Sequence, residues 1–180
     1  MSTPTPGFDP SSTAASFTAS FTATWRRVLT DPNGFFAEMP QTGGLNDPLL
    51  FLTVCAVVDA IGHMIVGLSV TALLGAFIAK MVAAFVLAAL LTLLAQQLFE
   101  GKAGFEPVFR VVAYSAAPMV LAWIPRLGVV AVLYAWFLTF RGIERVQGFD
   151  ATRAVLTVAI AVAILLLVGS ALAGGLRVAA

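Results

Sequence analysis

The chain is short of charge, cysteine and histidine, and each shortage removes a class of function. Only 11% of its 180 residues are Asp, Glu, Lys or Arg, against about a quarter in a soluble domain, so there is too little polar surface to clothe a water-soluble globule. A formal net charge of +1 supplies no basic field for nucleic acid. The single cysteine, Cys55, has no second thiol in the chain with which to form a disulfide. There is no Ser/His/Asp set, glycine-rich phosphate loop or paired carboxylate cluster, which argues against an enzyme and predicts no cofactor. Long hydrophilic stretches are missing too: residues 1–46 are too few and too polar to hold a core, and the longest later stretch, Arg141 to Arg153, is shorter still. The opening Met1-Ser2-Thr3-Pro4-Thr5-Pro6 lacks the charged leader and short apolar core of a cleavable signal, so the first span is expected to act as an uncleaved insertion signal.

What the chain has in abundance is hydrocarbon. It is 60% hydrophobic with a mean hydropathy of +0.98, and from Pro48 to about Ala173 apolar residues run almost unbroken by charge. That surface needs lipid. The expected fold is all-α: a polytopic integral membrane protein, a bundle of five transmembrane helices preceded by an interfacial amphipathic helix. Asp47-Pro48 reads as an N-cap acid followed by proline at the first helical position, opening a span that runs to about Leu68. A second span, from about Ser69 to Phe99, closes a helical hairpin. The polar turn Glu100-Gly101-Lys102-Ala103-Gly104 follows, and Glu106-Pro107 repeats the acid-proline start for a third span ending near Ile124. Beyond a break at Pro125-Arg126, the fourth span, about Leu127 to Phe140, is short and predicted to tilt little or to lie in a locally thinned layer. Arg141 to Arg153 is expected as the largest hydrophilic loop and Ala154 to Ala173 as the fifth span, so that the transmembrane domain covers 47–174 and a short tail 175–180.

Residues 1–15, rich in Ser, Thr and Pro, are expected to form a disordered tail. In the segment 16–46, Phe17, Phe21, Trp25, Val28 and Leu29 fall on one side of a helix while Arg26 and Arg27 fall on the other. Two readings stay open: the aromatic face sits at headgroup level with its cations on anionic lipid, or it packs on the protein's own spans. Thr30-Asp31-Pro32-Asn33-Gly34 breaks this helix, and Phe35-Phe36 with Met39 give a second apolar touch-down before the Gly43-Gly44 turn. Basic residues set the orientation. With the N-terminus in the cytoplasm, Arg26, Arg27, Lys102, Arg110, Arg141, Arg145 and Arg153 are cytoplasmic and only Arg126 and Arg177 lie outside, which predicts N-in, C-out.

Within the spans, Asp59 and His63 lie one turn apart with Cys55 a turn earlier, and an ionisable group in a span is a functional suspect. Asp59 and Lys80 stand equally far from a turn near Ser69-Val70, at matching depth for an ion pair. The pair could pin the hairpin's register, Asp59 and His63 could relay protons or ions, or the turn could shift and Lys80 snorkel outward. A metal on Cys55, Asp59 and His63 is disfavoured, because three successive turns drift around the axis and no second His or Cys exists to complete a shell. In the third span Pro118 predicts a kink, and Pro125 follows at the break. Tyr114 and Ser115 are placed to bond neighbouring helices, and Ala113 and Ala117 have the small-xxx-small spacing of close approach. The kink reads either as packing or as a lipid or ligand groove. Trp123 and Arg126 read as an outer-interface anchor.

Several blocks together resemble the Yip family, the Ypt/Rab-GTPase-interacting membrane proteins, and most of all its prokaryotic branch. They are Pro32 with Phe35-Phe36 and Met39-Pro40, Gly43-Gly44 before Asp47-Pro48, Phe109-Arg110-Val111-Val112-Ala113-Tyr114-Ser115-Ala116-Ala117-Pro118, Ile124-Pro125 and Gly142-Ile143. The resemblance implies five spans and a cytoplasmic N-terminus, here in a bacterial inner or plasma membrane. It also implies a non-enzymatic role as a membrane-organising or partner-binding scaffold, since eukaryotic relatives act in vesicle trafficking through prenylated Rab GTPases and in membrane shaping. The rival reading is a small transporter or lipid translocase using Asp59, His63 and Lys80. Expected partners are the lipid bilayer, a membrane or cytoplasmic protein and a second copy of the chain, and not nucleic acid.

Overall fold

A computed structural model describes residues 14–67 and 69–179, and every regular element among them is helical. Most of the predicted tail, residues 1–13, lies outside the described residues. The elements are α1 (Ala14–Thr30), α2 (Pro32–Glu38), α3 (Asn46–Ile65), α4 (Val70–Phe99), α5 (Phe105–Ser115), a 3₁₀ turn (Ala117–Leu121), α6 (Leu127–Gln147) and α7 (Ala151–Ala179). Four of them, α3, α4, α6 and α7, are long and apolar enough to cross a membrane.

Local chemistry explains where these elements start and stop. Asp31 caps α2 by accepting the Gly34 N–H at 3.0 Å, with Pro32 at the helix start. The two expected acid caps are not caps. Leu45 precedes α3 and Gly104 precedes α5, neither with a side-chain bond, while Asp47 and Glu106 sit inside the first turns, where a carboxylate still meets the positive end of the helix dipole. α5 ends at Ser115 because Pro118 has no N–H for the Tyr114 carbonyl. The chain tightens there, with Met119 N–H on Ala116 O at 2.9 Å and Ala122 N–H on Met119 O at 3.0 Å. The predicted kink is thus a change of helix type, and this segment is absent from the long apolar helices for that reason.

The fourth span is corrected most. α6 continues seven residues past Phe140, and the expected loop Arg141 to Arg153 shrinks to the turn between Gln147 and Ala151. Arg141 and Glu144 pair at 2.6 Å on the outside of that last stretch while Ile143 and Val146 face the core, so the charges decorate a helix. Gly148, at φ +67°, ends it in the left-handed region. At 21 residues α6 is about 31 Å long and needs no thinned layer. α7 begins three residues earlier than expected, with Asp150 Oδ1 accepting the Arg153 N–H at 2.8 Å, and the helix runs through the segment expected as a tail.

α5 is the centre of the bundle, buried from Pro107 to Ser115 and packed against α3, α4 and α6, while α7 closes the far side against α4 and α6. α5 and α6 approach closely at Gly142, where a Cβ would overlap the Val111 side chain. α1 and α2 form an arm folded onto this core. Rings of the arm and bundle meet in sequence: Phe21 on Phe51 at 5.0 Å, Phe51 on Tyr114 at 5.1 Å and Tyr114 on Phe35 at 5.1 Å.

Candidate functional site

Two clusters hold the candidate residues. The first joins α3 to α4. Lys80 Nζ donates to Asp59 Oδ2 across the hairpin, and the Asp59 side chain is 1% exposed against 38% for Lys80. One turn along α3, His63 Nδ1 lies 3.0 Å from the Asp59 carbonyl, a bond that needs its proton on Nδ1 because a carbonyl only accepts. The same nitrogen stands 3.4 Å from Asp59 Oδ1, which has no hydrogen-bond partner among the described residues. Cys55 is buried one turn away as a free thiol. The arrangement can hold two helices at one register and can present an ammonium and an imidazole to a neighbouring cavity. Among the described residues no three His, Cys, Asp or Glu side chains converge to hold a metal ion.

The second cluster docks the arm. Trp25 Nε1 donates to the Ala117 carbonyl at 2.7 Å, beside the break that Pro118 makes. In return the Tyr134 hydroxyl of α6 donates to the Leu29 carbonyl at the end of α1, also at 2.7 Å. Phe21, Trp25 and Leu29 pack on the core and Val28 is fully buried, so this helix face packs on the protein's own spans. Phe17 is half-buried and Arg26 exposed, while Arg27 pairs with Glu38 at 2.5 Å. Phe35, Phe36 and Met39, expected as an apolar touch-down, are core residues.

Sequence reasoning missed the residue that fixes the arm's far end. Arg110, counted with the cytoplasmic cations, is 3% exposed inside α5 and donates to the carbonyls of Thr42 (3.3 Å) and Gly44 (2.7 Å) and to Glu106 (3.3 Å). Glu106 also accepts the Gly44 N–H at 2.7 Å, so the Gly43-Gly44 turn is gripped by both charges. Gln147, buried at the end of α6, was missed as well: its amide exchanges bonds with both backbone groups of Ala103, at 2.9 and 3.4 Å. A cation inside the apolar run Val108–Ala113 was the available signal for Arg110, whereas nothing near Gln147 pointed to a partner 44 residues away.

The expected polar role of the third span moves elsewhere. Tyr114 packs through its ring, and Ser115 Oγ is buried with no partner among the described residues. Pro118 is buried and Pro125 exposed in the turn before α6. Trp123 lies over Gly62 of α3, where a Cβ would overlap its indole.

A family model, Yip1 domain, matches residues 26–172. The chain belongs to the Yip1-domain family. No curated protein and no solved structure matches it. The matched residues make this a membrane protein of the Yip1 family, and the domain takes in α2 and the last five residues of α1 along with the bundle, while Phe21 and Trp25 of the docked arm precede it.

Proposed function

We propose that this Yip1-domain protein is a non-enzymatic, five-span membrane scaffold that organises the bilayer around it or holds a protein partner. Its N-terminal arm and the turns around Lys102 and Gly148 face the cytoplasm of a bacterial cell. The fifth crossing is α5 with its 3₁₀ turn. Ala103 is bonded to Gln147 at the last residue of α6, yet the chain must reach Leu127 at the first, about 30 Å away. Residues 104–126 therefore travel the length of α6. A broken helix at that depth is tolerable because Ala117, Pro118 and Val120 are buried in protein.

The observation that carries the scaffold reading is that the ionisable groups of the hairpin end on one another. A relay or translocation site must meet water from both sides in turn, whereas the Asp59 carboxylate is buried and held by Lys80. Two measurements test the reading. In a Cys55→Ala background, Val66→Cys and Pro125→Cys are expected to react with an impermeant thiol reagent in intact cells, and Gln41→Cys and Gly148→Cys only after permeabilisation. Protection of Pro125→Cys with labelling of Gly148→Cys in intact cells would remove the fifth crossing, because α6 would then lead outward. Purified protein in liposomes is expected to show no ion-coupled flux and no lipid flip-flop above protein-free controls. Flux abolished by Asp59→Asn in protein that still folds would install the translocase instead.

A further inference from the structure

We propose that the bundle binds one phospholipid in a groove leading inward from the Asp59–Lys80 pair, with a phosphate oxygen on Lys80 and one acyl chain in the groove. This goes beyond the scaffold reading and rests only on the protein's place in a membrane. Three adjoining cavities make the groove. The first, about 140 Å³, lies between α3 and α4 and is walled by His63, Asp59 and Lys80. The second, about 250 Å³, shares Asp59 and Lys80 with it and continues past Leu87, Met119 and Trp136. The third, about 180 Å³, shares those three apolar residues with the second and ends at Thr139, whose hydroxyl is taken up by the Ala135 carbonyl at 2.9 Å.

Ionic groups therefore stand at one end of the track, and beyond them the lining is apolar apart from Cys55, Ser115 and Thr139, which is the polarity of an amphiphile. Size permits it, since an apolar cavity of about 150 Å³ already holds benzene and the middle one alone is larger. Lys80 supplies the head contact. An ammonium has three donors, a single carboxylate oxygen takes one, and in hydrocarbon the others need acceptors. Depth permits it as well: α4 is about 45 Å long, so an overhang shared between its ends leaves Lys80 roughly 8 Å inside a 30 Å hydrocarbon layer, nearer the headgroups than the midplane, where a lipid drawn into the groove meets the ammonium while it stays on Asp59.

The full chain is held in phosphate-free dodecyl maltoside micelles titrated with phosphatidylglycerol carrying a diazirine in one acyl chain, and the photo-cross-linked residues are mapped. Labelling at Leu87, Met119 and Trp136 is expected to saturate, and to be competed by unlabelled phosphatidylglycerol but not by diacylglycerol, which has the chains without the phosphate. Lys80→Met should lower occupancy about tenfold through loss of a charge-assisted hydrogen bond. Ala83→Phe, which fills the middle cavity from an exposed position, should abolish labelling there and leave lipid-facing Leu133 labelled as before. Should either variant fail to fold, the saturation and competition in the unsubstituted protein decide alone. Labelling that rises without limit and follows exposure, heaviest on residues such as Leu133 and Leu167, would mean annular lipid only and overturn the site. Equal competition by diacylglycerol would overturn the phosphate contact on Lys80.

Discussion

The two halves of the bundle are held by different means. In the half that carries the arm, bonds run between residues far apart in sequence: Arg110 to Gly44, Gln147 to Ala103, Arg141 Nε to Asn33 at 2.7 Å, Trp25 to Ala117 and Tyr134 to Leu29. In the half around the Val66–Ser69 turn, Ile65, Val70, Leu74, Val129, Val130, Leu166 and Leu167 are exposed, and the Asp59 cluster is the polar link between α3 and α4. Lipid is as apolar as leucine, so greasy surface cannot tell one helix neighbour from another inside a membrane. The half with a single defined arrangement obtains it from directional bonds and close approach. The other half leaves most of its surface to lipid.

The largest test of that contrast strikes the arm half. Arg110→Met removes a buried cation and strands the Thr42 and Gly44 carbonyls and Glu106; a loss of about 3 kcal/mol is expected, read as a lower thermal midpoint in detergent. A midpoint unchanged from the unsubstituted protein would show that the arm needs no polar latch. Next come two glycines treated alike. Gly142→Ala drives a methyl into Val111 and should cost about 2 kcal/mol, recoverable in part by Val111→Ala. Gly75→Ala, in α4 with nothing within 4 Å of the new methyl, should instead add up to about 1 kcal/mol by helix propensity. If both changes shift the unfolding midpoint in the same direction, the halves do not differ in packing. The smallest effect is the cross-hairpin coupling. Asp59→Asn and Lys80→Met in a double-mutant cycle should deviate from additivity by about 1 kcal/mol, and simple addition would mean that the pair does not join α3 to α4.

How much of this was legible follows from which signals were local. The α3–α4 hairpin was readable because hydropathy marks both spans and the turn fixes the register, which places Asp59 and Lys80 level without any knowledge of neighbours. The break after Ser115 was readable from Pro118 alone, a covalent fact about one residue. The end of α6 was not. Arg141, Glu144 and Arg145 look like a loop to any reading that equates charge with water, and only the helical spacing of Ile143 and Val146 spoke against it. The two faces of α1 were visible in sequence, but not the surface that the apolar face meets, because that surface is assembled from Phe51, Ala117 and Tyr134 on three other elements. Arg110 and Gln147 show the same limit from the other side: each residue type was plain, and each role depends on a backbone group brought near by the fold.

The docking of α1 also sets an order of events in synthesis. Its two latches close on Ala117 and Tyr134, 92 and 105 residues later in the chain. At about 5 to 20 residues per second, the helix emerges roughly 5 to 20 s before its second latch has been made, and for most of that interval Trp25 has no Ala117 carbonyl to meet. The first segment of the described chain to leave the ribosome can thus be latched only after most of the bundle exists, and a nascent chain halted before Ala117 would carry its arm with neither latch closed.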